Sequence, residues 1–144
     1  MVGEKKNNEI YLTYQKDDLH KICDKIKETE ENADTEKFLA FMLSGLFNYR
    51  VMPFVQYNGD DLVACAVVGI AETPMERESV LYIHFAFIDV KYPYFWRKGM
   101  LFLEDLARSL KIKKILMSTK RSPEAFEKKY KFKKSYTVME KEVI

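Results

Sequence analysis

Of the two histidines in the 144-residue chain, His84 stands mid-way along an apolar run, LYIHFAFID. A neutral imidazole there can act as a general base. The plain alternative is a packed histidine with a satisfied hydrogen bond. Glu72 closes another apolar run and Asp89 closes this one. Either carboxylate can take a proton, or each is simply a solvated strand end. Tyr130 is a phenol that can donate a proton or merely pack. Residues 94–101, YFWRKGML, bring Arg97, Lys98 and Gly99 together ahead of a helical pattern. Backbone N–H groups at a helix start point at an anion, the helix dipole adds to them, and glycine lets a phosphate come close. The alternative is a basic turn that happens to open a helix. With so few histidines and no Cys-x-x-Cys, no metal site is expected.

The elements that must hold these residues follow from periodicity. EIYLTYQ (9–15) alternates as a short strand. Leu19, Ile22, Cys23 and Ile26 then share one helix face, with Asp17 or Asp18 as cap. Thr35 can cap a second helix running to about Phe47, apolar on most sides and expected to be well buried. MPFVQY (52–57), the turn Asn58-Gly59-Asp60 and DLVACAVVGIAE (61–72) read as a hairpin. SVLYIHFAFIDV (79–90) adds the next antiparallel strand. A helix from Met100 to Leu110 leads to a strand at 113–119, which implies a parallel crossover. Ser122-Pro123 opens a short helix, and SYTVMEKEV (135–143) alternates as a last antiparallel strand. The order β-α-α-β-β-β-α-β-α-β gives one α/β (α+β) domain over 1–144, a mixed, mostly antiparallel sheet with helices on both faces.

Bulk properties agree with a soluble single domain: 47% of residues are apolar, 32% are charged, and no apolar run reaches the length of a membrane span. The N-terminal MVGEKKNNEIYL lacks the apolar segment of a secretory signal. Cys23 and Cys65 lie in apolar runs and read as buried thiols of a reducing compartment, which places the chain in the cytoplasm. Charge is divided. Residues 91–134 carry a net +10 and the remainder −8, which suits an anionic ligand on one part and a cationic one on the other. Separate solvated faces would produce the same count.

The element order resembles that of the GNAT-superfamily N-acetyltransferases over almost the whole chain, most specifically over 79–143. The segment FIDVKYPYFWRKGMLFLEDLARSLKIKKILMST is similar to the family's central strand, its R/Q-x-x-G-x-G/A acetyl-CoA loop, and the helix and strand that follow. SPEAFEKKYKFKKSYTVMEKEV is similar to its closing helix, Y-E-K-x-G-F signature and final strand. The resemblance implies acetyl-CoA as co-substrate and an amine acceptor, either a small molecule or a protein. It implies that Arg97, Lys98, Gly99, Met100 and Leu101 meet the pyrophosphate, and that Phe87, Ile88, Asp89 and Val90 pair with the pantetheine arm. It gives His84 or Glu72 the role of base and Tyr130 that of acid. The chain departs from the pattern at four places. With Gly99 as the loop's first glycine, Trp96 stands at the R/Q position and Leu101 at the last G/A position. In the closing motif Glu127 stands for the usual tyrosine and Lys131 for the glycine, and Phe126 just before Glu127 is no phenol either. Tyr130 is offset from position 127 by about one helical turn.

Three functions are therefore expected, in this order. The first is an acetyl-CoA-dependent N-acetyltransferase, the second a catalytically inactive GNAT-like binding or interaction module. The third and weakest is a nucleic-acid binder, suggested by Tyr92, Tyr94, Phe95 and Trp96 beside two cations. No membrane partner is expected, and a homodimer is left open.

Overall fold

The computed structural model describes residues 8–72, 77–118, 128, 131–135 and 139–143. The first strand, β1 (Ile10–Leu12), is shorter than its alternation predicts. Thr13 is where it stops. The Thr13 hydroxyl accepts from the Gln15 N–H at 3.1 Å and donates to Asp18 at 2.7 Å, which turns the chain into helix α1 (Lys16–Thr29). Leu19, Ile22, Cys23 and Ile26 are buried, the face their spacing predicts. Neither aspartate caps this helix: Gln15 holds that position without a side-chain bond, and Asp17 and Asp18 lie in the first turn. Asp18 points inwards, where the Tyr57 hydroxyl donates to its other oxygen at 2.5 Å. Thr13 and Tyr57 are fully buried, so this carboxylate is held by two hydroxyls away from water. Tyr57→Phe removes a bond to a charged group and is expected to cost about 1.5–3 kcal/mol, read as a lower urea midpoint at unchanged m-value.

Helix α2 (Thr35–Leu43) is capped by Asp34, whose side chain accepts from the Lys37 N–H at 3.0 Å, rather than by Thr35. It ends short of Phe47, because the chain turns at Ser44 and Gly45 to pass close against Val51. Only Met42 of α2 is buried, and Phe47 is 92% exposed, so this segment is far less enclosed than its apolarity predicts.

The sheet continues with β2 (Val51–Asn58), β3 (Asp61–Ala71), β4 (Val80–Ile88) and β5 (Ile115–Met117). Its order is β1-β2-β3-β4-β5, antiparallel except for the parallel pair β4–β5. Asn58 pairs with Asp61, so the hairpin turn is Gly59-Asp60, and Gly59 supplies the positive φ (+64°) that other residues resist. Helix α3 (Phe95–Ser109) carries the chain from β4 to β5. Cores form on both sheet faces. Leu19, Ile22, Val55, Tyr57 and Val67 join α1 and α2 to one face; Phe54, Val68, Leu81, Leu103 and Ala107 join α3 to the other. Cys23 and Cys65 are buried free thiols.

The short helix expected from Pro123 lies outside the described residues except for Lys128, which is helical. In the expected strand 135–143 the described residues, Ser135 and 139–143, form no strand, and Met139 and Val143 are 89% and 93% exposed. Alternation makes a strand only where a ladder partner accepts it, and the described ladder ends at β5. Among the described residues no helix is long and apolar enough to cross a membrane.

Candidate active site

His84 does not sit in a regular strand. Val67 pairs with Phe85 and Val68 with Ile83, which leaves His84 as the extra residue of a β-bulge in β4. A bulge bends its strand and re-aims the side chain. The imidazole lies edge-on to Phe41 of α2 (centroids 4.8 Å apart) and against Tyr82 (4.9 Å). It lies over Gly69, where a Cβ would stand 2.8 Å from Nε2, so only glycine leaves the ring its seat. The residue is nonetheless exposed to solvent. The surrounding rings desolvate the imidazole and lower its pKa below the ordinary 6.5, so it is neutral at pH 7 and able to accept a proton.

The bulge follows directly on the last described pair between β4 and β5. Strand β4 pairs with β3 along its length, and among the described residues with β5 at Leu81, Tyr82 and Ile83. The Asp89 N–H donates to the Val63 carbonyl at 2.8 Å, so by alternation Phe87 also addresses β3. Ala86 and Ile88 then turn their backbone groups away from β3. The Tyr82 hydroxyl lies 2.6 Å from the Ser118 hydroxyl, across the β4–β5 seam.

The segment 94–101 is mostly helix. Helix α3 begins at Phe95, five residues before the expected start at Met100. Pro93 precedes its cap residue Tyr94, and Phe95, Leu103 and Ala107 form a buried stripe that extends the pattern backwards. The turn before it is built by Asp89, whose side chain accepts from the Lys91 N–H at 2.9 Å and whose carbonyl accepts from the Tyr92 N–H. The Phe95 and Trp96 amides bond back to Tyr92 and Pro93. Arg97 is exposed at the first turn, whereas the Lys98 ammonium donates to the Asn8 carbonyl at 2.7 Å. Gly99 faces the sheet, since it falls four residues from both Phe95 and Leu103. Met100 lines a cavity of about 60 Å³ between helix and sheet, Leu101 is 52% exposed, and Val90 is 91% exposed.

The structure thus places His84 one residue past the last described β4–β5 pair, with Ile88 four residues further along the same strand. Glu72 is exposed just past the end of β3, beside the start of β4, about 13 Å of strand away from His84. Tyr130 lies outside the described residues. Phe41, Gly69, Tyr82 and Ala86 were not singled out from sequence. Tyr82 and Ala86 stand two residues either side of His84, a spacing that could have marked them. Phe41 and Gly69 belong to other elements and carry no local signal. Among the described residues no group of three or more His, Cys, Asp or Glu is placed to hold a metal ion.

No protein-family model and no curated protein matches this sequence. Solved structures do. A predicted acetyltransferase with acetyl-CoA, from Clostridium acetobutylicum, shares 17% sequence identity and a TM-score of 0.73, covering 93% of this chain and 95% of that one. An aminoglycoside antibiotic 6'-N-acetyltransferase from Acinetobacter baumannii shares 12% identity and a TM-score of 0.73, covering 94% and 98%. An acetyltransferase from Trypanosoma brucei shares 15% identity and a TM-score of 0.69, covering 94% and 99%. At these identities the likeness is one of fold: the chain has the GNAT-type acetyltransferase fold, as its element order implied.

Proposed function

We propose that this protein transfers an acetyl group from acetyl-CoA to an amine. The observation that carries the reading is a neutral, exposed His84 on a β4 bulge just past the last described β4–β5 pair, next to backbone groups of β4 that turn away from β3. Acetyl-CoA, when bound, supplies an activated thioester. The chain's own residues do the rest. Backbone groups of Ala86 and Ile88, which turn away from β3, pair with the pantetheine amides as an added strand would. Arg97 and the positive end of α3 hold the pyrophosphate. His84 takes the proton from the acceptor ammonium, which makes the amine a nucleophile. Phe41 and Tyr82 keep the imidazole oriented and desolvated. The likeness in fold to a structure that contains acetyl-CoA, and to one that acetylates aminoglycosides, supports both donor and acceptor class.

Calorimetric titration with acetyl-CoA tests this directly. Saturable binding is expected, weakened roughly tenfold by Arg97→Glu through lost charge-assisted bonding. No heat of binding at millimolar acetyl-CoA would sink the reading. Binding unaffected by Arg97→Glu would remove the pyrophosphate from this end of α3.

A further inference from the structure

The cavity of about 60 Å³ beneath α3 is a gap in an interior that is otherwise packed. On its helix side is Gly99, where a Cβ would meet nothing within 4 Å. On its sheet side are Ala66 and Ala86, a cross-strand pair of β3 and β4, and Ile88. Among the described residues no charged side chain lines it, and its walls are almost wholly apolar. A void of this kind stays dry and takes apolar guests, because water finds no partners there. Its position ties it to the acyl-transfer site. Ile83 and Met117 form the last described β4–β5 pair, and both line the cavity. Both pack in the core on the α3 face of the sheet, whereas His84, the next residue, lies against Phe41 on the α1–α2 face. Ala86 and Ile88, whose backbone groups turn away from β3, line the cavity as well.

We propose that this cavity receives the acyl tail of the thioester donor, and that the donor's acyl group is a short saturated one longer than acetyl, such as butyryl. The inference rests on the acyl-transfer reading and names its donor. A thioester held along Ala86 and Ile88, with its carbonyl beside Ile83, has the imidazole on one face of the sheet and the void on the other. The volume suits about four atoms of the size of a carbon or a water. An acetyl methyl leaves most of that space empty, and a butyryl tail fills it. The apolar walls offer a charged or hydroxylated tail nothing to pair with. Transfer follows the same course for any tail. The acceptor nitrogen gives one proton to His84 and bonds to the acyl carbon. The C–S bond then breaks, and CoA leaves as the thiol with a second proton from that nitrogen.

The test is calorimetric titration of the full chain with acetyl-, propionyl-, butyryl- and octanoyl-CoA. Affinity is expected to rise about fourfold for each methylene from acetyl to butyryl, as buried apolar area dictates. Octanoyl-CoA is expected to bind no tighter than butyryl-CoA, because its tail exceeds the space. Ala66→Leu fills the cavity from the β3 side. It is expected to abolish the gain from acetyl to butyryl and to leave acetyl-CoA affinity unchanged. Ala66→Val, a smaller change, is expected to reduce the gain and keeps the test valid should the leucine disturb the sheet. Equal affinity for acetyl- and butyryl-CoA overturns the pocket and leaves the acyl-transfer reading standing. So does a gain that both variants retain, or one that continues through octanoyl. Failure of every thioester to bind overturns both. Xenon, followed by the Ala66 and Ala86 methyl resonances, probes the void itself. Saturable shifts are expected, and their absence overturns the site. Shifts with xenon but no dependence on acyl length identify a free apolar guest and overturn the donor assignment.

Discussion

Replacing His84 with glutamine is expected to lower kcat/KM for acetyl transfer by about a hundred- to ten-thousand-fold, the range of a lost general base. The mechanism also sets the pH dependence. Protonated His84 cannot accept a proton, so wild-type activity falls as the pH drops through the imidazole pKa. Desolvation places that pKa below 6.5, so the acidic limb of the profile lies below the ordinary histidine value and activity is fully developed at pH 7. In the glutamine variant this limb disappears. The measurement is CoA release against pH with a panel of primary amines such as spermidine, lysine amide and kanamycin. A variant that keeps wild-type turnover and the same acidic limb means that another group, or water, removes the proton. Acetyl-CoA affinity is expected to change little, because the imidazole addresses the acceptor, and this separates the chemical role from a folding defect.

The second large effect falls on stability. Gly45→Ala is expected to destabilise the fold by about 3–4 kcal/mol, well beyond an ordinary surface change. A Cβ at Gly45 would overlap the Val51 carbonyl oxygen, lie 2.8 Å from the Val51 carbonyl carbon and 3.0 Å from the Tyr14 hydroxyl. Two of these atoms are backbone at the start of β2, so no side-chain rotation relieves the clash. The Val51 carbonyl is itself held by the Tyr14 hydroxyl at 2.5 Å, which joins the end of β1, the end of α2 and the start of β2 at one point. Separating them opens the α1–α2 core, where Met42, Leu19 and Val55 are fully buried. The melting temperature should fall by about 10 °C. A melt within about 2 °C of wild type would show that the α2–β2 junction relaxes at little cost.

Much of the architecture was legible in the residues. Hydrophobic periodicity located α1 and its buried face, the β2–β3 hairpin, β4 and the crossover helix, because each pattern is local and repeats at the period of its own backbone. The element order was enough to imply the GNAT-type fold. Element ends were less legible. Asp17 and Asp18 look like caps, yet Asp18 is drawn inwards by Thr13 and Tyr57, and Tyr57 is 39 residues away in sequence. YFWRKGML reads as a loop because of Gly99, yet burial of Phe95 against the sheet holds those residues in a helix.

The sequence by itself determined that His84 would lie mid-strand, that Arg97 and Lys98 would sit near a helix start, and that a parallel crossover would join two strands. Periodicity and composition act over a few residues, and these statements need no more than that. The tertiary structure decided that His84 sits on a bulge and that Gly69 leaves room for its ring. It also decided that Lys98 bonds to Asn8 while Arg97 stays exposed, and that Gly99 lines the same cavity as Ala64, Ala66 and Ala86. Each of these depends on register between strands or on contact between elements distant in sequence. Such pairings are set by how the two cores pack against the sheet, and no short stretch of residues encodes them.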